Sequence, residues 1–265
     1  MNTLTACIEG VGFWADGLPS WQAAVGHVSR GSPPGERGKP SPRLLAPNER
    51  RRAPPSVAVA LDVALAACEA AARDPATLPS VFASTHGDLA ITDYMCATLA
   101  DDPSAISPTK FHNSVHNAAA GYWTIGAGCL RPATALSAHR ASFAQGLLEA
   151  LAQLACGDEA VLLAAYDTAG TGPLGTVSHS SGLLGGALVL ARCERRGDGN
   201  RNGVLLRATL VDGNAPTRHG ALARLGAANA MAPMLPLFDA LAGRSDLALL
   251  HAGHGRTLRV ELAHG

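Results

Sequence analysis

Residues 106–156 read ISPTKFHNSVHNAAAGYWTIGAGCLRPATALSAHRASFAQGLLEALAQLAC, and this stretch decides the fold. Within it, residues 114–125 carry a helical pattern and 133–138 a short apolar strand. A tight connection follows, then an amphipathic helix over 143–156. Ser142 with Gln145 three residues on fits a capping box, and Gly157 closes the helix at its C-terminal end. In α/β enzymes the junction between a strand and such a helix is a favoured place for a nucleophile, because the positive helix end lowers a thiol's pKa. Here the junction holds His139 and Arg140. A guanidinium there meets the wrong end of the dipole and cannot attack a carbonyl.

The segments on either side repeat the alternation. Upstream lie an apolar strand at 4–14, a short helix capped by Ser20 and running to His27, and strand residues 80–84. Between them, 57–73 is apolar on almost every face, starts at Ser56 and stops at Asp74-Pro75, the pattern of a buried helix. A further helix is predicted at 89–99. Downstream come strands at 160–166, 184–192 and 204–211, a charged turn at 194–202, a helix at 221–242 and strands at 247–250 and 257–262. Strands alternating with helices predict an α/β protein whose sheets are mixed but mainly parallel and sandwich buried helices. Residues 30–55, RGSPPGERGKPSPRLLAPNERRRAPP, are predicted to be an exposed loop, either solvated or a basic docking loop.

Of the 265 residues, 47% are hydrophobic and 16% charged, with 21 Lys+Arg against 21 Asp+Glu. A formal net charge of zero removes the term that supplies most nucleic-acid affinity, and low charge with high apolar content is the reverse of the disordered signature. No apolar run is long enough to span a bilayer, and the first residues lack a cationic region followed by an apolar one, so a cytoplasmic protein without a membrane span is expected. The six cysteines stand singly with no CxxC spacing, so neither a disulfide framework nor a zinc site is expected.

The same central stretch resembles the segment leading to the active-site cysteine of elongating β-ketoacyl synthases of the thiolase fold. Ser107-Pro108, Asn117, Ala120-Gly121, Ile125, Pro132 and Ser142 fall at matching places. The family's T-A-C-x-S motif lies over residues 138–142, which puts Arg140 where the catalytic cysteine would be. Glu49-Arg50-Arg51, Gly157-Asp158 and residues 184–190 also look like ketosynthase features. The string FHNSVHN at 111–117, with Gly12-Phe13-Trp14 and Gly17-Leu18-Pro19-Ser20-Trp21, is similar to the ketosynthase-like chain length factors of aryl polyene and xanthomonadin-type pigment pathways. The likeness runs from Thr3 to Val211.

That resemblance implies a single thiolase-like domain over 1–265 with a reduced C-terminal half at 203–265. It also implies a non-catalytic subunit that pairs as a heterodimer with an active β-ketoacyl-ACP synthase and works on acyl carrier protein. The family's histidine motifs have no match: His254-Gly255-Arg256-Thr257 fits a closing strand better. No catalytic residue, metal or cofactor is assigned, the acyl chains being phosphopantetheine-linked. The residues placed at the tunnel or the subunit interface are Phe111, His112, Asn113, His116, Asn117, Tyr122, Trp123, His139, Arg140 and Ser142. Bland readings stand beside these. His112 and His116, spaced i, i+4, could share a metal if helical, but a polar network with Asn113 and Asn117 is preferred. Tyr122 and Trp123 could pack in the core, Cys129 reads as structural, and Ser178-His179-Ser180-Ser181 lacks a nucleophile elbow. The alternatives are a stand-alone acyl transferase or decarboxylase with an unidentified catalytic residue, and a homodimeric scaffold that binds carrier protein.

Overall fold

Strand β1 (Leu4–Ala15) carries the pattern on which the rest is laid. Its pairing register slips between Ile8 and Gly10, leaving Glu9 as an extra residue that bridges to Arg73 at 2.8 Å. The slip changes parity: Ala6 and Ile8 share one face with Phe13 and Ala15, while Gly10, Gly12 and Trp14 look to the other. Helix α1 (Trp21–Arg30) follows, with Ser20 Oγ accepting from Ala23 N as the sequence predicts.

The computed structural model describes residues 3–193 and 203–265; the predicted charged turn at 194–202 lies outside them. The remaining helices are α2 (Pro47–Arg52), α3 (Pro55–Ala70), α4 (Leu89–Asp101), α5 (Pro108–Asn113), α6 (Ala118–Ala127), α7 (Ser142–Cys156), α8 (Gly172–Val177), α9 (Ala221–Leu225) and α10 (Leu235–Gly243). The other strands are β2 (Ser80–Ala83), β3 (Ala133–Leu136), β4 (Ala160–Asp167), β5 (Leu184–Ala191), β6 (Val204–Asp212), β7 (Leu247–Gly253) and β8 (Arg256–Ala263). They form one eight-stranded sheet in the order β3-β2-β4-β5-β1-β6-β8-β7.

The mixed α/β class is as expected, but strand direction is not. Only β2 runs parallel to its neighbours β3 and β4, and every other pairing is antiparallel. Continuous apolar runs report burial on both faces, and antiparallel β4 and β5, all of whose residues are buried, satisfy that as well as parallel strands do.

Alternate residues of β4 feed two cores. Val161, Leu163 and Ala165 join Phe143, Leu147 and Leu151 of α7 and Phe238 of α10. Leu162, Ala164 and Tyr166 join Val59, Val63 and Ala67 of α3 and Trp123 of α6. Helix α3 sits so close to β1 that a Cβ on Gly12 would stand 1.9 Å from the Val63 carbonyl oxygen, and one on Gly10 2.1 Å from that of Ala67. Its far side is covered by α6 and Leu45 rather than by a second sheet, and Glu69 lies exposed and pairs with Arg43 at 2.7 Å.

Several local expectations are corrected. The 30–55 segment holds α2, because Pro47 suits a first helical turn, and it buries Leu45. Ser56 lies inside α3 and donates to Asp88 Oδ2 at 2.8 Å instead of capping. The predicted 114–125 helix begins only at Ala118 as α6, residues 114–117 forming a turn after α5, and the 221–242 helix splits into α9, a 3-10 turn and α10 around Gly226, Asn229 and Pro233. A disulfide joins Cys7 to Cys193: antiparallel pairing puts Cys7 opposite Ala191, so a cysteine just past the end of β5 comes within reach, which spacing in sequence hides. No helix among the described residues is long and apolar enough to cross a membrane.

Candidate functional site

The strand-to-helix junction of the central stretch is built around Ser142. Its Oγ accepts from Ala138 N at 2.9 Å and donates to His139 O at 2.7 Å, fastening a 3-10 turn over His139–Ala141. This replaces the expected capping box, since Gln145 reaches away to donate to Ala252 O at 2.9 Å. His139 takes φ 51, a left-handed conformation that few non-glycine residues adopt. Gly157 ends α7 as predicted.

His139 and Arg140 project into a cavity of about 350 Å³ that they share with Thr85, Val177, Ser178, His179, Arg218 and Asn229. A second cavity of about 400 Å³ adjoins it, sharing Arg140, Arg218, Ala227 and Pro233 and adding Arg224, Leu249 and His251. Burial depresses the Arg218 guanidinium, and neighbouring Arg140 depresses it further. His251 is held below the usual histidine value by burial, then by Arg140, His139 and Arg218.

Beneath the first cavity lies a buried polar network. Asp167, at the end of β4, accepts from Ser84 Oγ at 2.7 Å and from Thr85 N at 3.1 Å, and burial pushes its carboxyl above the usual range. His86 Nδ1 lies 3.8 Å from Asp167 Oδ1. The Asn229 side chain donates to Asp167 O and Ser181 O, each at 3.2 Å, and accepts from Met231 N at 2.9 Å. Ser180, from the sequence string with His179, donates to Thr168 O at 2.6 Å and accepts from Ala230 N at 3.0 Å.

Of the residues singled out from sequence, the structure brings His139 and Arg140 to the cavities, with Ser142 behind them, and Ser178 and His179 to the first cavity. The others lie elsewhere. Phe111 is 61% exposed on α5, and His112 stands edge-on to Tyr122 with ring centroids 5.7 Å apart. Asn113 is buried, and Asn117 precedes α6 without a side-chain capping bond. His116 sits between the two helices with Nε2 3.1 Å from Ser84 O, so it shares no helical face with His112. Trp123 is fully buried against Phe82 at 6.2 Å, so the place at a tunnel or interface gives way to the core reading. Cys129 is buried and donates to Leu78 O, a structural position. Among the described residues no group of three or more His, Cys, Asp or Glu could hold a metal.

Sequence reasoning missed Arg218, Arg224 and His251, which come from a loop, from α9 and from β7, far along the chain, and carry no local signal. It also missed the Ser84-Thr85-His86 loop, whose signal was available: polar residues directly after a strand end.

A strand, a pinned tight turn and a buried helix, with a cavity at the turn and a polar network below it, define a mixed α/β protein with its site at the ends of the parallel strands. The chain belongs to the β-ketoacyl synthase family: the model of the β-ketoacyl synthase N-terminal domain matches residues 21–191. Comparison with curated proteins finds no match. Among solved structures, the chain is similar to one of a ketosynthase, ApeO, in complex with its chain length factor, ApeC, from Xenorhabdus doucetiae. That match has TM-score 0.74 and 22% identity, covering 97% of this chain and 99% of that one. It is similar to the ishigamide ketosynthase/chain length factor at TM-score 0.69 and 15% identity, covering 98% and 99%. A type II polyketide acyl carrier protein in complex with its ketosynthase bound to the hexaketide (AntDE:AntF) matches at TM-score 0.73 and 11% identity, covering 100% of both chains. These identities show a shared fold.

Proposed function

We propose that this chain is the non-catalytic, chain length factor-type partner of an active β-ketoacyl-ACP synthase, acting on carrier-protein-bound chains in polyene, polyketide or fatty-acid-type elongation. The observation that carries the reading is Arg140, which occupies the turn where the family resemblance puts a nucleophilic cysteine and lines the cavity there. The four free cysteines, Cys68, Cys96, Cys129 and Cys156, line neither this cavity nor its neighbour. A guanidinium is neither a nucleophile nor a base at neutral pH. The partner then supplies the cysteine and histidines, and this chain needs no cofactor of its own.

The edge of the sheet supports the pairing. β3 is a four-residue strand at the end of the sheet whose outer edge pairs with no strand among the described residues, and the segment before it exposes Phe111, Val115, Ile125 and Leu130, the last at 99%. Open edges and clustered apolar groups of this kind mark surfaces that another chain covers. Within the family resemblance, subunits meet across this strand, and exposed Phe111 and half-buried Tyr122 are placed to shape the partner's acyl tunnel.

The test is co-expression with an active β-ketoacyl-ACP synthase from the same genome, followed by size exclusion and an extension assay with loaded carrier protein. A one-to-one complex whose products lengthen or sharpen relative to the synthase alone supports the reading. Carbon dioxide release from malonyl-loaded carrier protein by this chain alone would overturn it.

A further inference from the structure

The two adjoining cavities carry a charge imbalance that the chain as a whole does not have. Arg140 and Arg218 line both, His139 and His179 face the first, and Arg224 and His251 face the second. Among the described residues no aspartate or glutamate lines either cavity, although acidic and basic residues balance at 21 each over the sequence. Within the described residues, neither the Arg140 nor the Arg218 guanidinium has a hydrogen-bond or ion-pair partner. Arg224, by contrast, is engaged with His219 O.

We propose that Arg140 and Arg218, supported by His139 and His251, form a binding site for the carboxylate or phosphate group of a small organic anion. Two guanidiniums that line the same two adjoining cavities act on each other across a partly dehydrated space and repel, and Arg140 accordingly depresses Arg218. An oxyanion with two or more acceptor oxygens relieves that repulsion and matches the planar donor fork of each guanidinium. The rest of the lining mixes neutral polar groups, Thr85, Ser178, Asn229 and Thr217, with apolar Val177, Pro233, Pro236 and Leu249, and the apolar part suits a short carbon body attached to the charged end. Volumes of about 350 and 400 Å³ lie within the usual range for small-molecule sites, roughly 300–1,000 Å³. The site does not rest on pairing with a synthase, because every group in it belongs to this chain.

Isothermal titration of the full chain, at constant ionic strength set with chloride, uses inorganic phosphate in one arm and succinate in the other. Saturable binding of either probe is expected, and the arm that binds more tightly identifies the anion class. Arg140→Gln and Arg218→Gln each weaken it by about tenfold or more, the value of a lost charge-assisted hydrogen bond. Arg140→Lys, which keeps the charge and loses the fork, retains part of the affinity. Arg43→Gln, at the distant pair with Glu69, leaves it unchanged. Exposed Arg140 can be replaced without touching the core. The proposal is overturned if neither anion binds saturably, or if both Gln variants bind as the parent does.

Discussion

The Ser84 hydroxyl donates to the Asp167 carboxyl at 2.7 Å, tying the end of β2 to the end of β4 directly under the cavity. The same carboxyl receives Thr85 N, so it holds both the strand ends and the loop that follows β2.

Asp167→Ala strands the Ser84 hydroxyl and the Thr85 amide without an acceptor. The expected loss is about 2–3 kcal/mol, read from urea unfolding. A pH series adds a sign. Burial raises the folded-state pKa of Asp167, so its favourable contribution is complete below the unfolded value near 4 and falls away as pH rises through the folded value. The urea midpoint of the parent relative to Asp167→Asn should therefore decline from about pH 4 upward, and a difference that grows with pH would refute this account.

Gly12 gives α3 its seat on β1. Adding a methyl group pushes it against the Val63 carbonyl, backbone that cannot step aside. Gly12→Ala should destabilise by about 3 kcal/mol or more and lower the melting temperature accordingly. A variant as stable as the parent would mean that helix and strand lie further apart.

Cys7 and Cys193 are bonded, and four thiols are free. Protein prepared without reductant and unfolded should titrate four thiols, rising to all six after reduction. Cys7→Ser should lower stability of the oxidised protein by about 2–4 kcal/mol and leave that of the reduced protein nearly unchanged.

The apolar surface beside β3 can be changed without disturbing the fold, since Ile125 is 76% and Leu130 99% exposed. Ile125→Glu with Leu130→Glu should shift stability by less than about 0.5 kcal/mol each. Co-purification with the synthase should nevertheless be lost. Intact complex formation by the double variant would move the contact surface elsewhere.

Much of the fold was legible because local chemistry determines it. The Ser20 cap, the Gly157 stop and the apolar runs that became β1, β4 and β5 needed only composition and spacing. Strand direction was not legible, since a strand buried on both faces looks the same whichever way its neighbour runs. The break between α5 and α6 was hidden because His116 is held by Ser84 O, a partner from a loop far upstream. At the site, the family resemblance marked Arg140, whereas Arg218 and His251 reach the same cavity from distant positions, and only the folded chain brings them together.

β1 hydrogen-bonds on one side to β5 and on the other to β6, with Cys7 opposite both Ala191 and Leu205. Its first partner, β5, ends only at Ala191, so more than 165 residues separate β1 from either partner. During synthesis the apolar stretch from Leu4 to Ala15 thus waits as an unpaired strand, the state most open to mispairing. The order of the strands therefore makes the pairing of β1 a late, long-range step in maturation.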